Sequence, residues 1–177
     1  MEARLYLTQP KPEHKRAVWC YRAEFLQNGE PPCGSALLDR ANCYEQWLER
    51  NIKNRCQETA APGLVEATTY LAFLKDTDEL VGMIDFRHSL NDYLHEYGGH
   101  IGYSVRKRKR RQGYGSEMLS LCLDECRAYG LKEVLITCNK ENLASAATIR
   151  KVGGILENEV PHEGTLVQRY WVKLDEK

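Results

Sequence analysis

The sequence predicts an α/β fold, on three observations. Stretches that alternate apolar and polar residues with a period of two are interleaved with stretches of helical period. A strand pattern at residues 100–105 runs through a basic, glycine-bearing turn straight into an amphipathic helix. Val134-Leu135-Ile136 is a continuous apolar run of the kind found in a strand covered on both faces. At 177 residues the chain has the length of one domain with a core of ordinary size, so a single domain over residues 1–177 is expected.

Each element follows from its local pattern. Residues 4–8, Arg-Leu-Tyr-Leu-Thr, alternate and open the chain as a short strand closed by Pro10 and Pro12. Over residues 13–27, Ala17, Val18, Tyr21, Phe25 and Leu26 recur at helical spacing until Asn28-Gly29 and Pro31-Pro32 stop the helix. A loop holding Gly34 and Ser35 leads to a second helix marked by Tyr44, Trp47, Leu48, Ile52 and Cys56, with Pro62-Gly63 ending the region. Residues 65–74 and 80–86 read as a β-hairpin around Asp76-Thr77-Asp78. The polar stretch 88–99 is too irregular for a strand and is the candidate substrate-side loop. In the helix after residue 113, Gly115, Met118, Leu119, Cys122 and Cys126 share a face, and Gly130 stops it. A strand over 133–138, a short helix over 143–152 ending at Gly153-Gly154, and a closing strand over 167–174 complete the chain.

The most informative stretch is Arg110-Arg111-Gln112-Gly113-Tyr114-Gly115. Glycines let backbone N–H groups approach an anion, the helix start supplies unpaired donors and the positive end of a dipole, and arginine adds bidentate donors. The dinucleotide fingerprint fails because Met118 stands where its third glycine belongs, and no Gly-Lys-Ser/Thr end of a P-loop is present. Lys+Arg and Asp+Glu both number 25, so the net charge is zero and no general role on nucleic acid or a membrane surface is expected. A nucleic-acid-binding protein built on the run 106–111 stands as an alternative. No segment has the apolar length of a membrane span, and Met1-Glu2-Ala3-Arg4 lacks the apolar core of a signal peptide, so a cytoplasmic location is expected. The seven cysteines contain no Cys-x-x-Cys pair and are expected to stay reduced, with no metal site.

Taken with Asn139, Asn142, Ser145, Lys151 and Gly153, in an N-x-x-N-x-x-S run that ends in Lys-Val-Gly-Gly, Arg110-x-x-Gly113-x-Gly115 resembles the GNAT superfamily of acyl-CoA-dependent N-acetyltransferases. The specific likeness covers about residues 79–157. It implies a mixed, mostly antiparallel sheet of about six to seven strands flanked by helices on both faces, with acetyl-CoA as co-substrate. By the same resemblance, Arg110, Arg111, Gln112, Gly113, Tyr114, Gly115 and Ser116 would cradle the pyrophosphate, with Arg106 or Arg108 on the 3′-phosphate. Asn142 would start the helix flanking the pantetheine arm, and Ser145 is either a packing serine or a cofactor contact. The backbone of Tyr103, Ser104 and Val105 would face the thioester.

The implied reaction is direct attack of a primary amine on the thioester, which needs a proton acceptor, donors for the oxyanion and a proton for the leaving thiolate. His100 and Glu96 are the candidate bases; Asp85, which shares a strand face with Arg87, reads as an ion-paired structural residue, and His88 is read equally as surface or functional. Ile149 stands where many members carry the tyrosine that protonates the thiolate, so Tyr103 or Tyr114 is the candidate acid. That departure keeps alive a non-catalytic acyl-CoA-binding or sensor module. The usual aromatic after Lys-x-Gly is replaced by Gly154. The acceptor is expected to be a small-molecule or peptide amine, with Asp92 and Glu96 suggesting a cationic one, and a homodimer fits the superfamily's habit.

Overall fold

The computed structural model describes residues 3–174; Met1 and Glu2, part of the reading of the amino terminus above, lie outside the described residues. The elements run β1 (Leu5–Thr8), α1 (Lys15–Gln27), α2 (Tyr44–Asn54), β2 (Ala67–Leu74), β3 (Leu80–Arg87), β4 (Ile101–Val105), α3 (Tyr114–Tyr129), β5 (Glu133–Asn139), α4 (Leu143–Lys151), β6 (Ile155–His162) and β7 (Thr165–Lys173). The strands form one seven-stranded sheet in the order β1-β2-β3-β4-β5-β7-β6. Every neighbouring pair is antiparallel except β4 and β5.

Helices cover both faces, each over its own core. On one face Val18, Tyr21 and Phe25 of α1 and Tyr44, Trp47 and Leu48 of α2 pack on Leu71, Phe73, Leu80 and Met83. On the other, Met118, Leu119, Cys122 and Cys126 of α3 and Ala146 and Ile149 of α4 pack on Ile84, Phe86, Ile101, Val134 and Ile136. Ile149 is fully buried there. The cysteines at 122 and 126 are core residues, all seven cysteines are free, and no metal-binding cluster occurs among the described residues. No described helix is long and apolar enough to cross a membrane.

The sequence reading has no counterpart for β6. Its first four residues are exposed and it lies at the sheet edge, paired to β7 alone, so neither face carries the apolar alternation that marks a half-buried strand. What forms the hairpin is the turn: Glu163 (φ 46°) and Gly164 (φ 79°) are both left-handed, the geometry of a two-residue connection whose twist matches the strands. Within the irregular stretch 88–99, Leu94–Gly98 forms one wide helical turn, and the Tyr97 ring stacks on His162 of β6 at 4.2 Å.

Candidate active site

At the start of α3 the backbone leaves donors open. Arg111 (φ 60°) and Gly113 (φ 85°) are both left-handed, and no side chain caps the helix at Gly113. The N–H groups of the first turn therefore lack both intrahelical and side-chain acceptors, in a concave run of backbone donors suited to phosphate. Ser116 Oγ donates to the Gly113 carbonyl at 3.2 Å. Arg4 bridges to this loop: its guanidinium donates to the Gln112 carbonyl at 3.1 Å, pairs with Glu117 at 2.9 Å and lies 4.5 Å over the Tyr114 ring. Nothing in the sequence pattern near the loop singles out Arg4, because the contact spans more than a hundred residues.

The basic run is mostly paired internally. Glu79 collects Arg106, Arg108 and Lys109, at 3.8, 2.7 and 2.6 Å. The Lys109 hydrogen bond, more than the arginines' field, holds the Glu79 carboxyl below its ordinary range. Arg110 forks onto Glu30 and donates to the Val105 carbonyl at 3.0 Å. The Arg110 fork is thus engaged within the protein, and Arg106 is buried over Tyr21. Among the described residues Lys107 and Arg111 have no ion pair.

Next to this loop the sheet opens. β3 and β4 pair along five residues, whereas β4 meets β5 at Ile101↔Ile136 only. The bonds from Arg87 N–H to the His100 carbonyl and from Arg106 N–H to the Val81 carbonyl fix which β4 residues face β3. By alternation these are the even-numbered ones, so Tyr103 and Val105 turn their N–H and C=O toward the gap where β5 has diverged. Ser104 is the exception to the expected set: its backbone faces β3, and its hydroxyl donates to the Cys33 carbonyl at 2.6 Å. It ties down the α1–α2 segment. Across the gap the Tyr103 hydroxyl meets Ser145 Oγ at 2.9 Å, and the Ser145 N–H donates to Asn142 Oδ1 at 3.1 Å, capping α4. Burial raises the Tyr103 pKa. Motifs about forty residues apart in sequence thus converge on one cleft.

On the α1/α2 face lies a cavity of about 580 Å³, walled by the α1–α2 segment, α2, the loop before β2, β3 and the turn at 91–94. Gly34 crosses β4 so closely that a Cβ there would sit 2.1 Å from the Gly102 carbonyl oxygen. Asp85, paired in register with Gly102, is on the wall; it accepts from Thr69 Oγ1 at 2.8 Å and lies 3.4 Å from Arg87 Nε. The expected pairing of Asp85 with Arg87 is present. Its position on the cavity wall is what the sequence reading did not draw from it.

His100, Glu96 and Tyr103 do not line this cavity. His100 is buried; its ring Nδ1 accepts the Leu135 N–H at 2.9 Å, and its backbone N–H donates to the Leu135 carbonyl. The ring pins β5 at the point of divergence. Burial, and next the Arg87 charge, push its pKa down to about 4. Because that lies below the usual 6.5, protons favour the unfolded chain. The stability that neutral His100 contributes is complete above about pH 6.5 and drains away as pH falls toward 4. His100→Asn retains an acceptor near Nδ1 and cannot titrate, so its unfolding midpoint should depend less on pH between 6.5 and 4 than that of the unmutated chain. Parallel slopes in thermal melts would refute this. Glu96 is exposed on the wide turn, where its carboxylate helps raise the Tyr97 pKa. His88 is held between Glu66 and Thr68, at 2.8 and 3.0 Å, away from the cleft residues.

A helix start with open backbone donors lies beside a parallel strand pair that parts, and Gly34 of the cavity wall packs against the same strand, an arrangement of the α/β class. Residues 4–155 match the family described as acetyltransferase (GNAT) domain, and the chain belongs to that family. The curated relative "Uncharacterized N-acetyltransferase YnaD" of Bacillus subtilis (strain 168) is 29% identical over 92 residues, which is 49% of each chain, so the match spans about half of that relative's length. Among solved structures, the ribosomal-protein-S5-alanine acetyltransferase of Vibrio fischeri superposes with a TM-score of 0.73 at 14% identity, covering 99% of this chain and 96% of that one. The RimL ribosomal L7/L12 α-N-protein acetyltransferase in complex with coenzyme A superposes at 0.67 with 21% identity, covering 98% and 96%. At these identities the structural likeness speaks for the fold.

Proposed function

We propose that the protein transfers the acetyl group of acetyl-CoA to a primary amine held in the cavity, by direct attack. The observation that carries this reading is the open edge of β4. Tyr103 and the Val105 N–H face the β4–β5 gap, the Val105 carbonyl being held by Arg110, and Gly34 of the cavity wall packs against Gly102 of the same strand. The backbone donors at Arg111, Gln112, Gly113, Tyr114, Gly115 and Ser116 would take the pyrophosphate, with the free Arg111 guanidinium beside them. Asn142 and Ser145 flank the arm. Acetyl-CoA supplies the activated acyl group. That two relatives are named for modifying ribosomal proteins supports an amino group on a peptide as the acceptor.

The chain's own groups meet the three demands of the reaction. An open N–H on β4 stabilises the oxyanion. Asp85, a carboxylate on the cavity wall opposite Gly102, takes the amine proton directly or through water, a role His100 is unsuited to because its Nδ1 lone pair is already occupied. The leaving thiolate draws its proton from the Tyr103–Ser145 hydroxyl pair. Ile149, buried in the core, bears on the packing of α4 and not on this step. Seven free cysteines fit a reducing compartment, in keeping with a cytoplasmic location, and a homodimer remains part of this reading.

Tyr103→Phe removes the proton donor and keeps the ring. It should lower single-turnover thiol release by at least about tenfold, toward the hundredfold typical of a lost general acid, with acetyl-CoA affinity within about twofold. Unchanged single-turnover rates would remove Tyr103 from the mechanism.

A further inference from the structure

The charges on the cavity wall do not cancel, and the excess is positive. Asp85 is balanced by Arg87, whose Nη1 also donates to the Gly98 and Gly99 carbonyls at 2.9 and 3.1 Å. Asp39 faces Arg40 at a loose 3.9 Å. Arg50 has no carboxylate partner among the described residues. Its Nη2 donates to the Ala36 and Leu37 carbonyls at 2.7 and 3.3 Å, and its Nε is buried with no hydrogen-bond partner. One helical turn on, Asn54 Oδ1 is also buried without a partner, and both residues line the cavity. A half-buried guanidinium on a largely apolar wall, with no carboxylate partner among the described residues, is open to a charge-assisted contact with an anion.

We infer that the acceptor is an amine that also carries a carboxylate, as an acidic peptide amino terminus does, with the carboxylate drawn to Arg50 and Arg40 and the amine directed to the Asp85 end beside β4. The cavity volume, about 580 Å³, admits a molecule of dipeptide to tripeptide size. A cationic amine, the expectation from Asp92 and Glu96, meets an excess of arginine there. The inference rests on the acyl-transfer reading for the place of the amine; the place of the carboxylate depends only on the arginines.

Three dipeptide amides with free amino termini, Ala-Glu, Ala-Gln and Ala-Lys, titrated calorimetrically into the protein loaded with coenzyme A, test the inference without requiring turnover. The Glu peptide should bind at least about tenfold more tightly than the Gln peptide, with the Lys peptide weakest, a gap typical of one charge-assisted contact. Arg50→Gln should bring the Glu peptide to the level of the Gln peptide. Since Arg50 also holds two loop carbonyls, Arg40→Glu serves as the second variant; its side chain is 76% exposed and its change should erase the acidic preference with coenzyme A affinity intact. Equal binding of the three peptides, preference for Lys, or no binding of the Glu peptide at millimolar concentration would overturn the inference. Tight binding of the Glu peptide without thiol release from acetyl-CoA would count against acyl transfer and leave the ligand class standing.

Discussion

Gly113→Glu is expected to weaken coenzyme A binding by at least about a hundredfold, equivalent to about 2.8 kcal/mol, in a chain that still folds. The carboxylate would lie among the donors meant for the pyrophosphate, reversing the local field at the positive end of α3. Cost to the fold is limited by what surrounds the position. A Cβ at Gly113 would meet only the Arg4 Nη2, at 3.3 Å, the far end of a flexible side chain. The remaining penalty is the left-handed backbone, about 1–2 kcal/mol for a residue with a Cβ. Gly113→Ala carries the same backbone penalty without the charge, so the difference between the two variants in a calorimetric titration isolates the electrostatic part. If folded Gly113→Glu binds as the unmutated chain does, the anion site is not at this loop.

Gly34→Val should be the most damaging single change to the acceptor side. A Cβ there would lie 2.1 Å from the Gly102 oxygen, 2.4 Å from its carbonyl carbon and 2.7 Å from the Tyr103 Cα, all backbone atoms of β4 that cannot swing aside. Backbone strain at φ 70° adds about 1–2 kcal/mol and overpacking about 1–3 kcal/mol. For a chain of this length, a loss of that size lowers the unfolding midpoint on the order of 10 °C. The segment cannot move freely to relieve the clash, because Ser104 holds the Cys33 carbonyl and Trp47 Nε1 holds that of Ser35, at 2.6 and 2.9 Å. Gly29→Val is the control, since Gly29 is also left-handed but has nothing within 4 Å of its Cβ position. Equal melting shifts for the two variants would show that the approach of the α1–α2 segment to β4 is not as described.

What could be read from the sequence was whatever is set by local pattern. The hairpin turn at residues 75–79, and the amphipathic face of α3 with the glycines opening it, are each set by residues close in sequence, and periodicity or turn chemistry specifies them directly. The edge strand β6 has little apolar alternation, and only its turn marks it. Side-chain destinations were less legible than backbone ones. Arg110 and Arg106 stand in the right run, yet their partners Glu30, Glu24 and Glu79 come from α1, its following loop and the β2–β3 turn, and only the folded chain brings these together. In sequence, His100 has the chemistry of a base and lies next to β4. Its role as an acceptor for Leu135 follows from where β5 lies, which no local pattern gives. Asp85 was correctly paired with Arg87, but the cavity beside it is made by residues 31–40 passing over β4.

Thiol release from acetyl-CoA, followed together with mass spectrometry of the Ala-Glu amide as acceptor, tests acyl transfer most directly. Saturable thiol release that requires the peptide, one acetyl group added to the peptide amine for each thiol freed, and loss of both with Gly113→Glu are expected. Saturable binding of acetyl-CoA with no acetylated product from this peptide or from a wider panel of primary amines would contradict acyl transfer.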